Sequence, residues 1–347
     1  MIRFALIAAS VLGFALTAAV GNLLLPLLRT LAPPEGEGQD APRPQRRDGA
    51  PDEDDGGDPP TPGPRGLPAM GGLCFIIGAL AAVGVGWAVV CLVQPELLGG
   101  GLTGRLILGL GCGFLLGAAG LMDDLARLRP RQVLGLRTGP RLALEGAAAA
   151  AASAALWAGG AMPTGLRLPA VGYVELGAAA APLWALLLLA LAESARLSGH
   201  ADGAAAGAAF VAMLGLMGAE TVLGFFPLAV LPAALAGALM AFLLWNFYPA
   251  RLLPGSVGCL FLAGAVGGIP LSIGRADLAL ALGLPFWAEG LAALLQGAWR
   301  RWKGRPLFKA GSLSLWLQKR GGAVSAFYVF CALALLGVLA ALRAAQL

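Results

Sequence analysis

Charged side chains are scarce in this sequence. Asp, Glu, Lys and Arg make up 12% of the 347 residues, whereas hydrophobic residues make up 58%, and the mean hydropathy is +0.79. A soluble domain of this size carries far more polar surface, so the composition excludes that class. The scarcity of charge instead predicts a polytopic membrane protein.

Histidine and paired cysteines are also lacking. His200 is the one histidine, and we interpret it as a solvent-facing loop residue rather than as an acid–base group. The five cysteines lie in or at the ends of apolar runs, with no metal-ligand spacing, so they predict packing residues and no disulfide framework. They are Cys74, Cys91, Cys112, Cys259 and Cys331.

Long apolar runs, in contrast, are abundant. A helix needs about 20 apolar residues to cross a bilayer core. Ten runs approach this length, at residues 4–28, 70–93, 104–122, 142–162, 178–193, 204–224, 228–247, 257–273, 276–298 and 323–343. We therefore predict an all-α integral membrane protein of about ten transmembrane helices, forming one domain over residues 1–347, with cytoplasmic loops that form the site. The first run lacks a small-residue cleavage pattern, so it is expected to be retained.

Positive charge is unevenly divided between the connections of these runs. Of the 24 Lys and Arg, 19 fall in alternate connections, and five lie on the opposite side: Arg3, Arg105, Arg167, Arg275 and Arg343. By the positive-inside rule, the richer connections are cytoplasmic and both termini are external. This orientation, with anionic phosphates at the cytoplasmic face, explains the net charge of +5, so no nucleic-acid partner is predicted. The external segment 163–177 is predicted to form a short hairpin-like cap.

One long connection differs in composition from the rest of the chain. Residues 31–64 contain nine prolines and nine acidic residues. Such a segment cannot bury enough apolar surface to offset the entropy lost on ordering. We predict a disordered cytoplasmic loop, whose acidic run at residues 52–55 is a solvated linker rather than a cation site.

A short polar turn separates two of the apolar runs. Residues 244–260 read Leu-Trp-Asn-Phe-Tyr-Pro-Ala-Arg-Leu-Leu-Pro-Gly-Ser-Val-Gly-Cys-Leu. Irregular backbone at membrane depth is tolerated where it is buried in protein or lines a wet cavity, and Gly255 and Gly258 allow it to bend close to a ligand. The turn therefore predicts a functional site.

An acidic pair, Asp123 and Asp124, ends the third run. Two adjacent carboxylates at a membrane interface are costly unless they are paired or metal-bound. Neighbouring residues on a helix diverge by about 100°, so both carboxylates could face one ligand only where the helix is ending. The other interpretation is an interfacial stop, in which Asp123 pairs with Arg127 at i, i+4.

Three of the other acidic residues within the apolar runs lead to expectations of their own. Glu145 is expected to pair with another span or stay protonated, because an unpaired charge is costly there. Glu289 is expected to have a structural role. Glu193 and Arg196, three residues apart, are expected to form a salt bridge.

Five stretches, in order along the chain, resemble the polyprenyl-phosphate N-acetylhexosamine-1-phosphate transferases, and most closely the phospho-N-acetylmuramoyl-pentapeptide transferase family of glycosyltransferase family 4. They are residues 65–72, 120–127, 193–203, 244–260 and 302–321. The polar turn shares with that family Asn246, Tyr248, Pro249, Ala250, Gly255, Val257, Gly258 and Leu260. The resemblance implies the family's fold, in a bacterial cytoplasmic membrane.

The resemblance also implies a reaction and the groups that serve it. The family transfers a phospho-N-acetylhexosamine from a UDP-sugar to undecaprenyl phosphate, with release of UMP, and its muramoyl-pentapeptide branch makes lipid I for peptidoglycan. Mg²⁺ is the implied cofactor, with Asp123 and Asp124 as catalytic and metal-coordinating residues. Undecaprenyl phosphate, a UDP-sugar, and a second copy of the chain or other envelope-synthesis proteins are the implied partners. The implied substrate-binding residues are Arg127, Asp202, Asn246 and Lys309.

The family pattern is broken at several polar positions. Ser256 stands where the family has a metal-ligating aspartate, and residues 314–316 read Ser-Leu-Trp in place of three histidines. A serine brings no negative charge and is a poor Mg²⁺ ligand. We therefore expect a divergent paralogue with weak or no catalysis that binds polyprenyl phosphate or scaffolds envelope enzymes. The alternative is an active Mg²⁺-dependent transferase that uses Asp123, Asp124 and Asp202; a transporter is disfavoured because no internal repeat is evident.

Overall fold

A computed structural model describes residues 2–31, 67–98, 101–128, 135–168, 172–305, 307 and 311–346. Within these ranges the chain is almost entirely helical. The α-helices are α1 (Ile2–Leu31), α2 (Gly72–Val93), α3 (Gly101–Arg127), α4 (Thr138–Ala158), α5 (Ala180–Ser198), α6 (Ala204–Val222), α7 (Val230–Asn246), α8 (Gly255–Ser272), α9 (Ala276–Leu282), α10 (Leu284–Lys303), α11 (Leu313–Gly321) and α12 (Ser325–Gln346).

The segment between α4 and α5 carries the sheet of the described chain. Strands β1 (Gly165–Leu168) and β2 (Gly172–Glu175) pair antiparallel, with Leu166 opposite Val174. This confirms the hairpin-like cap predicted at residues 163–177. The predicted disordered loop at residues 31–64 lies outside the described residues, apart from Leu31 at the end of α1.

The all-α membrane fold is confirmed, but the count of ten spans is not. Seven of the described helices are long and apolar enough to cross a membrane, or eight if the bent pair α9 and α10 is one span. The predicted run 276–298 is broken there by a bend of 69°, because Gly283 and Pro285 interrupt the helix between the two parts. α7 is shorter, at 17 residues, and Arg141 and Glu145 lower the hydropathy of α4.

Helix α8 is the centre of the bundle. All of its residues from Ser256 to Ser272 are buried, and α3, α5, α2 and α9 pack around it. Small residues on these helices let their backbones approach closely, as is usual between membrane helices. Edge-to-face contacts between Phe75, Phe242, Phe261 and Phe114 fill the space between them.

The outer helices keep large apolar side chains on their surface. Phe4 on α1 and Leu92 on α2 are 75% and 81% exposed, as expected for side chains that face lipid in an integral membrane protein. All five cysteines are free, as predicted, and only Cys331 is not fully buried. The bundle is therefore held by packing of small and apolar side chains rather than by covalent links.

Candidate functional site

Two motif stretches that are far apart in the sequence lie side by side at the start of α2. Gly71 N–H donates to the Leu253 carbonyl at 2.9 Å, and Gly72 N–H donates to the Pro254 carbonyl at 2.8 Å. In the other direction, Leu253 N–H donates to the Pro68 carbonyl at 3.2 Å. The carboxyl half of the polar turn therefore packs against backbone at the start of α2, whereas residues 247–249 and 251 are exposed.

The acidic pair lies on a helix that has not yet ended, because α3 continues to Arg127. Asp124 therefore has its own direction and its own partners. Its two carboxylate oxygens accept hydrogen bonds from the backbone N–H groups of Ser256 at 3.0 Å and Val257 at 2.9 Å. These N–H groups belong to the first turn of α8, which has no partners for them within its own helix. Asp124 thus caps α8 from a neighbouring helix.

Asp123 is held by a different set of donors. Its Oδ2 accepts from Ser256 Oγ at 2.7 Å and from Arg127 Nη2 at 2.8 Å, while its Oδ1 accepts from Leu136 N–H at 2.9 Å. Both acids therefore contact Ser256, one through the side chain and the other through the backbone. The i, i+4 ion pair between Asp123 and Arg127 is present, as the second interpretation of this motif predicted.

Arg127 provides the positive charge at this centre. Its Nη2 also donates to Ser256 Oγ at 3.1 Å, and its Nε lies 3.9 Å from Asp124 Oδ1. The guanidinium group therefore lies beside both carboxylates and the serine hydroxyl. A third of the Arg127 side chain is still exposed, whereas the Asp123 and Asp124 side chains are buried.

Two glycines allow α3 and the polar turn to approach this closely. A Cβ atom at Gly120 would overlap the backbone of Ser256. Gly255, which begins α8, has φ +70°, a conformation that costs glycine little and other residues more. A side chain at either position would separate the acidic pair from the start of α8.

The other predicted substrate-binding residues hold loops together. Asp202 Oδ2 accepts from Ala250 N–H at 3.2 Å, which ties the α5–α6 connection to the polar turn. Burial raises the pKa of Asp202 above its ordinary value, against the opposing effect of that N–H group. Asn246 is buried, and its Nδ2 donates to the Leu252 carbonyl at 2.9 Å. Lys309 lies outside the described residues.

His200 is half-buried rather than fully solvent-facing as we expected. Its Nδ1 lies 3.0 Å from the Leu197 carbonyl, a hydrogen bond that the neutral ring makes as donor. Burial lowers the pKa of His200, and the positive charges of Arg196 and Arg127 lower it further. The ring is therefore neutral near pH 7, and the carbonyl contact is structural.

A second charged cluster joins α4 to α5. Arg196 pairs with Glu193, which confirms the predicted salt bridge. Arg141 extends it, since its guanidinium lies 3.7 Å from Glu145 Oε1 and 3.6 Å from Glu193 Oε1. Arg141 lies on α4 with Glu145, so this contact is not the pairing with another span that we expected; Arg141 links Glu145 to Glu193 on α5 instead. No sequence signal predicted that Arg141 would bridge the two helices.

A family model described as Glycosyl transferase family 4 matches residues 106–274, the part of the chain that contains the acidic pair and the polar turn. A phospho-N-acetylmuramoyl-pentapeptide-transferase from Desulforudis audaxviator is 30% identical over 318 residues, which cover 89% of this chain and 88% of the relative. The chain belongs to the phospho-N-acetylmuramoyl-pentapeptide-transferase family.

Two further relatives support this membership. A phospho-N-acetylmuramoyl-pentapeptide-transferase from Heliobacterium modesticaldum is 30% identical over 312 residues, covering 89% of this chain and 87% of the relative. One from Synechococcus sp. is 32% identical over 293 residues, covering 83% and 74%. The family resemblance is therefore confirmed along most of the chain.

The side chains at the centre do not fit the Mg²⁺ ion that the family resemblance implies. The carboxylate oxygens of Asp123 and Asp124 already accept hydrogen bonds from protein groups, and Arg127 supplies the neighbouring positive charge. Position 256 offers a hydroxyl, which donates its proton to Asp123. Among the described residues, no three His, Cys, Asp or Glu side chains are placed to hold a metal ion. Mg²⁺ binding by this member of the phospho-N-acetylmuramoyl-pentapeptide-transferase family is therefore a prediction that these contacts do not support.

Two polar groups were not indicated by any motif. They are the backbone N–H of Leu136 and the carboxylate of Glu220. The backbone N–H of Leu136 binds Asp123, and backbone partners leave no mark in a sequence. Glu220 on α6 is fully buried, and neither of its carboxylate oxygens has a hydrogen-bond partner. An acidic residue inside an apolar run is itself a signal, and it could have identified Glu220.

Proposed function

We propose that this chain is a divergent member of its family with weak or no phosphosugar-transfer activity, and that it binds polyprenyl phosphate or scaffolds envelope-synthesis enzymes. The observation that carries the proposal is the arrangement of the acidic pair. Asp123 forms an ion pair with Arg127 and accepts a hydrogen bond from the Ser256 hydroxyl, and Asp124 caps the start of α8. Both carboxylates thus have structural partners.

The chemistry of the family reaction explains why this arrangement argues against fast turnover. A lipid phosphate must approach the diphosphate of a sugar nucleotide, so positive charge has to neutralise two groups of anionic oxygens. Arg127 carries one positive charge, and the ion pair with Asp123 offsets it. Loss of a single transition-state electrostatic contact typically costs about 10²–10³ in rate. Replacing the family's metal-ligating aspartate with Ser256 is a change of this kind.

Arg127 supports the lipid-binding part of the proposal. A third of its side chain is exposed beside the buried acidic pair, and a phosphate group would contact this exposed part. Arginine binds phosphate through several parallel N–H groups. A monoester phosphate at the end of a polyprenyl chain matches both this donor set and the surrounding membrane.

An active Mg²⁺-dependent transferase is the second candidate. Asp123 and Asp124 are both present and converge on Ser256. Two of the relatives reported above, each aligned over most of its length, are named as transferases. In this case the carboxylates would exchange their protein donors for a metal ion when substrate binds. Asp202 would be the third carboxylate.

Release of UMP separates the two candidates. The purified full-length protein is given UDP-N-acetylmuramoyl-pentapeptide, undecaprenyl phosphate and Mg²⁺. We expect the wild type to release no UMP above background, and Ser256→Asp to gain Mg²⁺-dependent release. Ser256→Ala, which removes the hydroxyl without adding a carboxylate, is the matched control and should gain none.

UMP release by the wild type that Asp123→Asn abolishes would contradict the proposal and establish the active transferase. If Ser256→Asp also releases no UMP, the next measurement is binding of undecaprenyl phosphate to the wild type and to Arg127→Gln. This measurement distinguishes the lipid-binding role from the scaffold role. Binding that is about tenfold weaker in Arg127→Gln, the loss expected for one charge-assisted contact, supports the lipid-binding role. If neither protein binds undecaprenyl phosphate, the scaffold role is the one that remains.

A further inference from the structure

A second polar pocket lies at the other end of α3 and α8 from the acidic pair. Arg105 and Asp123 are separated by eighteen residues of α3, which is about 27 Å at 1.5 Å per residue. The pocket has a volume of about 260 Å³. The residues that line it include Arg105, Gly165, Arg167, Tyr173, Arg275 and Asp277. We call it the arginine pocket.

The arginine pocket carries an excess of positive charge. Three guanidinium groups and one carboxylate line it, so two positive charges remain uncompensated within it. The carboxylate of Asp277 forms an ion pair with Arg275, whose Nε donates to Oδ1 at 2.9 Å and whose Nη2 donates to Oδ2 at 2.6 Å. Arg105 and Arg167 have no acidic partner among the residues that line the pocket.

Structural roles account for two of the three arginines. Arg105 Nη1 donates to the Ser272 carbonyl at 2.8 Å, at the carboxyl end of α8. Arg275 Nη2 donates to the Ala344 carbonyl at 2.6 Å, near the carboxyl end of α12. Cations at helix carboxyl ends satisfy carbonyl groups that have no partner within the helix. Such a role does not account for Arg167, which lies on β1 and is exposed.

The hairpin fixes Arg167 at the mouth of this pocket. Arg167 is paired with Tyr173 across β1 and β2, and the Tyr173 ring covers Gly165 so closely that a Cβ atom there would overlap it. Hairpin and pocket are therefore one surface. Positive charge is otherwise sparse on this face, because only five of the 24 Lys and Arg were assigned to it. Three of those five line the arginine pocket.

We infer that the arginine pocket binds a phosphate-class oxyanion, through Arg167 and Arg105 together. Guanidinium groups offer parallel N–H donors that match the oxygens of a phosphate group. The volume is slightly below the range of pockets that hold drug-sized ligands, which begins at about 300 Å³. It suits a phosphate or diphosphate group, either as a free ion or as the headgroup of an anionic lipid. This site is separate from the acidic pair and does not depend on the proposed function.

The test measures binding of two probes to the purified full-length protein. Inorganic diphosphate is titrated in detergent solution, and phosphatidic acid is added in nanodiscs of phosphatidylcholine. Arg127 is also accessible to phosphate groups, so both arms use an Arg127→Gln background. We expect Arg167→Gln in this background to weaken binding about tenfold, the loss of one charge-assisted contact. Arg343→Gln, another exposed arginine assigned to the same face but outside the pocket, should leave binding unchanged.

The two arms distinguish the sources of the anion. Diphosphate binding that depends on Arg167 identifies a site for a free anion. Binding of phosphatidic acid alone, with the same dependence, identifies a lipid headgroup site. The inference is overturned if neither probe binds, if Arg167→Gln binds as tightly as its parent, or if Arg343→Gln weakens binding as much as Arg167→Gln does.

Discussion

Ser256 and Asp124 show how one residue position affects both local structure and chemistry. The Ser256 hydroxyl donates to Asp123, and its backbone N–H donates to Asp124. An aspartate side chain at this position would place a third carboxylate beside the other two, and their mutual repulsion would require a cation to offset it. A serine removes that requirement. With Ser256, Arg127 offsets the charge of Asp123, and the N–H groups at the start of α8 stabilise Asp124.

The cap on α8 gives Asp124 a role that is independent of catalysis. Asp124→Ala removes two charge-assisted hydrogen bonds to buried N–H groups, so we expect the free energy of unfolding to fall by about 3 kcal/mol. Asp124→Asn keeps one carbonyl acceptor and should lose about half as much. Unfolding in detergent micelles, followed by intrinsic fluorescence, measures both. Equal stability of Asp124→Ala and the wild type would show that α8 does not depend on this cap.

Helices α10 and α11 provide a second example of one helix holding the start of another. Glu289 on α10 is fully buried, and its carboxylate accepts from Ser314 N–H at 2.9 Å and from Ser314 Oγ at 3.1 Å. Ser312 adds a cap, accepting from Leu315 N–H at 3.3 Å. The predicted structural role of Glu289 is confirmed. It anchors the segment in which the family resemblance places three histidines.

Removing this anchor should loosen α11 without unfolding the bundle. We expect Glu289→Ala to raise the amide hydrogen exchange rate of residues 314–317 about tenfold, because the buried N–H of Ser314 loses its acceptor. Gln296→Ala is the control, since Gln296 lies two turns further along the same face of α10 and its Oε1 has no hydrogen-bond partner. Hydrogen exchange with mass spectrometry measures both variants. A similar increase in both would assign the effect to α10 as a whole.

The whole molecule has two polar ends joined by an apolar bundle. α3 and α8 run side by side through its centre, with the acidic pair and Ser256 at one end and the arginine pocket at the other. The positive-inside rule predicts that the first end is cytoplasmic and the second external. A single helix pair therefore connects the two surfaces for which we propose anion contacts, on what this rule predicts to be opposite sides of a membrane.

Cysteine labelling tests this orientation. Arg167 and Arg251 are both exposed, and the orientation places them on opposite faces. In intact cells we expect a membrane-impermeant maleimide to label Arg167→Cys, and to label Arg251→Cys only after lysis. The five native cysteines, four buried and one half-buried, set a low background. Labelling of Arg251→Cys alone in intact cells would reverse the topology.

The elements of the fold were largely predictable, because the length and apolarity of a run depend on local sequence. Helix ends agree with the predicted runs to within a few residues for α2, α6 and α8. The bend between α9 and α10 was not predicted, although Gly283 and Pro285 are visible in the sequence. A glycine and a nearby proline interrupt many apolar runs without bending them so far, and the angle depends on packing.

The sequence predicted which residues form the candidate site, but not which hydrogen bonds they make. The ordered motifs brought Asp123, Asp124 and Ser256 into one hypothesis, and the structure places them in contact. Asp123 and Asp124 have different hydrogen-bond partners because α3 continues past them, which sequence spacing does not determine. The catalytic and substrate-binding roles of these residues stay predictions, as does the role of Lys309.

The cap that Asp124 places on α8 also affects how proteins of this kind are sorted into enzymes and non-enzymes. A carboxylate that closes a central helix is under selection for stability even in a lineage where turnover no longer matters. The presence of this aspartate in a sequence then indicates a structural role and is not by itself a sign of catalysis. The side chain at position 256 does not cap α8 and instead contacts Asp123 and Arg127, so it is the better marker of whether a given member is built for transfer chemistry.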